Sequence, residues 1–122
     1  MTRQQQWALR SHELVLALKE RPDKAKQKTF GMKMPGLIQQ SGLIQALVFV
    51  QTRGVDGQVF VNALATVYGA PDGTQLLTNA QRAPLPAYLA LSRDMLDVSA
   101  WMRRFVQIEM KDVKEDSNDS NA

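Results

Sequence analysis

Residues 92–105 read SRDMLDVSAWMRRF, and their spacing predicts an amphipathic helix that needs other helices to pack against. Met95, Val98, Met102 and Phe105 step by 3, 4 and 3, which places them on one apolar stripe over three turns. Ser92 suits an N-cap, and Asp94 then sits in the first turn, where a carboxylate meets the positive end of the helix dipole. At about 100° per residue, Arg93, Arg104 and Lys111 fall within about 20° of one another, opposite the stripe. One face is therefore core and the other cationic.

Working outward, Thr2 and Gln5 have the spacing of a capping box, so a helix is expected from about Arg3. Trp7, Leu14 and Leu18, with Ala8 and Val15, recur at helical spacing until Pro22 ends the pattern, which bounds the first helix at about Arg21. The next stretch, DKAKQKTFGMKM, is compatible with helix or with extended chain. Pro35 suits a first helical position, and Leu37, Ile38, Leu43, Ile44, Leu47, Val48 and Val50 spread over too wide an arc for a surface helix, which predicts a buried central one. Thr52–Gly57, with two glycines and an Asp-Gly pair, reads as a loop. Gln58–Tyr68 is assigned to a helix closed by Gly69, although its Val, Phe and Tyr content also suits a strand. Thr74–Gln81 is a candidate short helix, and Pro84 and Pro86 open the last segment. The expected fold is all-α: a single compact bundle of five or six helices over residues 1–111, followed by a disordered acidic tail over 112–122.

A chain of 122 residues with 44% hydrophobic and 22% charged residues is sized and composed for one folded domain. It contains no cysteine, which excludes disulfides, thiol nucleophiles and cysteine-ligated metals and fits a reducing compartment, so a cytoplasmic location is expected. No unbroken apolar run is longer than Ala46–Val50, far below the roughly 20 residues of a membrane span, so no membrane partner is expected. The N-terminus, MTRQQQW, lacks the apolar region of a secretory signal. The net charge of +3 conceals an asymmetry: positions 1–108 hold 13 basic and 7 acidic residues, a balance of +6, and the acids concentrate after Glu109. Such a body favours polyanionic partners.

No catalytic constellation is visible. The single histidine, His12, lies beside Glu13, but one histidine without cysteine cannot supply the three or four ligands of a zinc site. Asp94 and Asp97 are three apart on one helix; the dipole accounts for the first and solvation for the second. The nucleophile-elbow, phosphate-loop, dinucleotide and zinc-protease motifs are all missing, so no catalytic residue, metal or cofactor is assigned. The strongest cationic feature is Lys19, Arg21, Lys24, Lys26, Lys28 and Lys33, six cations in fifteen residues opposed by Glu20 and Asp23. Lysines so spaced can meet successive phosphates with release of counterions. Phe30 and Trp101 are assigned to the core, which leaves no aromatic ladder for bases and predicts binding along a backbone without sequence preference.

Two segments then carry a family resemblance: LIQQSGLIQALVFV, residues 37–50, with Gly42, Leu43, Ala46, Leu47 and Phe49, and YLALSRDMLDVSAWMRRF, residues 88–105, with Tyr88, Ser92, Asp94, Leu96, Trp101, Arg103, Arg104 and Phe105. Together, over about a quarter of the chain, they resemble the small subunit of the type III-B CRISPR effector, the Cmr complex. Met102 departs from that pattern, where lysine is common, as does the acidic tail. The resemblance implies an all-helical, non-catalytic RNA-binding subunit of an antiviral assembly. It would stack with copies of itself along a filament of backbone subunits that holds guide RNA and target RNA. It makes Arg93, Arg103 and Arg104 candidate phosphate contacts, with Lys24, Lys26, Lys28 and Lys33 as a second patch. Two other classes remain open: a helical DNA-binding regulator, against which the length of the Thr52–Gly57 gap counts, and a protein-interaction adaptor.

Overall fold

The computed structural model describes residues 1–116. Among these residues there are six helices and no strand: α1 Arg3–Lys19, α2 Lys24–Ser41, α3 Leu43–Gln51, α4 Gly54–Tyr68, α5 Gly73–Arg82 and α6 Leu85–Glu109. The α1 start is the expected capping box, with Gln5 N–H donating to Thr2 Oγ1 at 3.1 Å and Thr2 N–H to Gln5 Oε1 at 2.7 Å. α6 lies along both α1 and α2, and α4 packs beneath all three. The buried faces of α3 and α4, including Leu43, Leu47, Val50, Phe60, Leu64 and Val67, complete one core with Met95, Val98, Met102 and Val106 of α6.

Several boundaries differ from the sequence expectation, each for a physical reason. Pro35 lies inside α2 instead of starting a helix. A proline there forfeits a hydrogen bond and crowds the preceding turn, but Phe30, Met34 and Ile38 are buried on both sides of it and hold the helix in place. The predicted single helix over 35–50 breaks at Gly42, whose φ of 84° is left-handed and separates α2 from α3. The expected loop Thr52–Gly57 shrinks to Thr52 and Arg53. Gly57 serves close approach: a Cβ built on it would stand 1.8 Å from the Val50 carbonyl oxygen, so α3 and α4 touch backbone to backbone. The length of the gap therefore no longer counts against a DNA-binding helix pair. The composition of α4 does, because Asp56 is its single charged residue and it offers no cation to a phosphate.

Later elements run longer than expected. Gly69, at φ 113°, closes α4 as predicted, and Asp72 caps α5 by accepting from Gln75 N–H at 2.8 Å. α6 begins before Ser92, at Leu85, with proline in the first turn, where a missing N–H costs nothing. Ser92 is thus an interior residue and Asp94 does not face the helix start. Val106, fully buried, takes the place in the stripe that Phe105 was expected to fill, and Phe105 is half-buried at its edge.

Beyond α6 the chain does not leave the body at residue 112. Val113 packs against the core, its carbonyl accepts from Lys28 Nζ at 2.6 Å, and Asp116 N–H donates to Thr29 Oγ1 at 3.0 Å. Residues 112–116 therefore run along α2. Of the disordered tail expected over 112–122, residues 117–122 lie outside the described residues.

The two types of helical glycine should behave oppositely. Gly57→Ala forces backbone apart and is expected to cost about 3 kcal/mol. Gly36, with nothing within 4 Å of its would-be Cβ, should tolerate alanine and gain up to about 1 kcal/mol from helix propensity. Urea denaturation followed by circular dichroism distinguishes the two.

Candidate nucleic-acid interface

Burying the Leu91–Met95–Val98–Met102–Val106 stripe turns the opposite edge of α6 outward, carrying Leu89, Arg93, Asp97, Arg104 and Gln107. Arg93 and Arg104 are both exposed, and neither has an ion pair or hydrogen bond among the described residues. Eleven residues apart, they lie on nearly one line, about 16 Å apart along the axis. Lys111 does not extend this line, because α6 ends at Glu109.

Arg103 points elsewhere. Its Nε donates to the Met32 carbonyl of α2 at 3.2 Å, so it ties two helices together. The α2 lysines are likewise divided. By helical rotation Lys24 and Lys28 share one side, with Lys26 and Lys33 roughly opposite. Lys24 is exposed on the first turn; Lys26 pairs with Asp56 at 3.4 Å; Lys28 holds the Val113 carbonyl. Lys33 is engaged within the chain and borders a cleft of about 440 Å³ with Met32, Leu37 and Phe49. The four lysines that sequence spacing joined into one patch are thus not brought together.

At the start of α2, burial raises the Asp23 carboxyl. Hydrogen bonds from the Arg21 guanidinium and the Gln27 amide, with the charge of Arg21, outweigh that and hold it below the usual carboxylate range. The same bond to Asp23 raises Arg21. The buried Gln27 amide also donates to the Asp56 carbonyl at 2.8 Å, fixing α2 against α4.

The seam between α1 and α6 holds features that sequence analysis missed. Arg3 pairs with Asp94 and lies over the Trp7 ring. Gln4 donates to Asp97 Oδ2 at 3.1 Å and accepts from Trp101 Nε1 at 2.7 Å. His12 Nε2 meets Glu109 at 2.7 Å, and its ring stacks on Phe105 with centroids 4.5 Å apart. Phe105 stacks in turn against Trp101 at 6.3 Å and 21°. Trp101 is therefore not simply core: with His12 and Phe105 it forms a column of three rings where no aromatic ladder was expected. The signal was present in the spacing, since Asp97, Trp101, Phe105 and Glu109 recur every fourth residue along one edge of α6. Among the described residues no cluster of metal-ligating side chains occurs, and no helix is long and apolar enough to cross a membrane.

Among the described residues, six helices with two exposed arginines along the outer edge of the last one define a small all-helical protein. The family model of CRISPR-associated protein (Cas_Cmr5) matches residues 3–109, from the start of α1 to the end of α6. A Thermus thermophilus protein described as CRISPR system Cmr subunit Cmr5 is 36% identical over 107 residues, covering 87% of this chain and 94% of the relative. The X-ray crystal structure of a CRISPR-associated Cmr5 family protein from Thermus thermophilus matches with a TM-score of 0.86 at 36% identity, covering 88% of this chain and 96% of that one. The chain belongs to the Cmr5 family of CRISPR-associated proteins.

The arginine pair gives a stability prediction. Arg103→Ala removes a helix-to-helix hydrogen bond and should cost about 1 kcal/mol, whereas Arg104→Ala should stay within about 0.5 kcal/mol of the parent in urea melts. Asp23 gives a pH prediction. Its folded-state pKa is depressed, so its contribution is full above the unfolded value of about 3.9 and lost as pH falls through the folded one. Stability should therefore fall more steeply below about pH 4 in the parent than in Asp23→Asn, as read from urea midpoints across pH.

Proposed function

We propose that this chain is the non-catalytic small subunit of a type III-B CRISPR RNA-guided, RNA-targeting effector, the Cmr complex, acting in antiviral defence in the cytoplasm. The observation that carries this reading is the family match across all six helices. In that setting the chain stacks with copies of itself and with backbone subunits, and contacts the phosphates of guide and target RNA. Sequence specificity comes from guide pairing, and the protein contributes charge and shape. Arg93 and Arg104 are the best placed of the candidate contacts, being exposed and unpaired on one edge of α6. Lys24 is a weaker one. Arg103, Lys26 and Lys28 are already committed to the Met32 carbonyl, Asp56 and the Val113 carbonyl, and recruiting them would break an internal contact.

The charge-reversed pair Arg93→Glu/Arg104→Glu, purified with its assembly, should lose RNA at moderate salt while keeping its helical circular dichroism. In the parent, log affinity should fall with log salt at a slope of about −0.7 per phosphate contacted. Unchanged RNA retention by the double variant, or a flat salt titration, would remove this edge from the RNA path.

A further inference from the structure

The column His12–Phe105–Trp101 ends at an open cleft of about 310 Å³ walled by Gln4, Asp97, Ala100, Trp101 and Arg104. We propose that this cleft binds one unpaired nucleobase of a single-stranded nucleic acid, stacked on Trp101 as the next ring of the column. The inference rests on the RNA-backbone reading above and adds to it a contact to a base.

Three features point to a base in this cleft. The Trp101 indole is fixed before any ligand arrives, by its Nε1 bond to Gln4 on one edge and by Phe105 alongside, so little freedom is lost when a ring lies on it. Trp101 is half-exposed, unlike Trp7 and Phe30, which are buried in the core. Finally, the charges are arranged for a nucleotide. Asp97 stands in the wall with Oδ2 taken by Gln4. Its other oxygen can accept from an exocyclic amino group, while its charge repels phosphate from the interior. Arg104, exposed in the same wall, supplies the cation for the phosphate beside that base. The polar walls disfavour an apolar peptide side chain as occupant.

The test compares a hexa-adenylate with an abasic hexamer carrying the same phosphates, titrated at low salt into the full-length chain while tryptophan emission is recorded. The adenylate should quench emission and bind roughly tenfold or more tightly than the abasic strand, the amount a stacked base contributes. In Trp101→Phe, which keeps a ring against Phe105, the remaining emission comes from buried Trp7 and should not respond to the adenylate. Equal binding of both strands without quenching overturns the base site and leaves the phosphate reading intact. Failure of both strands to bind overturns the base site as well, while the phosphate reading stands or falls separately on RNA retention by the charge-reversed variant in its assembly.

Discussion

Which side chains of α6 face out depends on how that helix is wedged between α1 and α2. The stripe Met95, Val98, Met102 and Val106 is fully buried. Val106 presses so closely on α2 that a Cβ on Gly31 would stand 2.8 Å from its Cγ2. That close approach, together with the buried stripe, sets which face of α6 meets α2. A turn of 100° separates adjacent residues, so Arg103 is driven against the Met32 carbonyl while Arg104 faces out. The same constraint aligns Arg93 with Arg104 and sets Asp97, Trp101, Phe105 and Glu109 along the seam with α1.

The internal commitments of the other cations follow from the same packing. In a chain with this much basic charge, several lysines and arginines serve as donors to main-chain carbonyls or partners to carboxylates. Lys28, Lys26 and Arg103 do so here. Their charge adds to the field around the molecule, but the groups that can reach a phosphate without breaking a contact are fewer than the sequence suggests.

The all-helical class, the Thr2 cap, the Gly69 stop and the buried face of α6 were legible because they rest on local spacing. What was not legible depends on contacts between helices. Pro35 and Ser92 look like helix starts when read alone, and tertiary packing overrides both. Gly54 and Gly57 look like a loop until the crossing of α3 and α4 shows that Gly57 is there for a close approach. For the candidate site, Arg93 and Arg104 were placed correctly relative to the core by periodicity. The separation of the α2 lysines followed from the same periodicity once helix, and not extended chain, was established for that segment. The ring column needed His12, from α1, which no spacing within α6 could supply.

The RNA contact proposed for this chain is the outward edge of α6 with its seam against α1. It is tested most directly by ultraviolet crosslinking of the intact assembly, purified with its bound RNA, followed by mass spectrometry of nucleotide-bearing peptides from this chain. Crosslinks are expected within residues 93–104, with Trp101 among them. Crosslinks confined to other faces, such as α4 and α5, would contradict it.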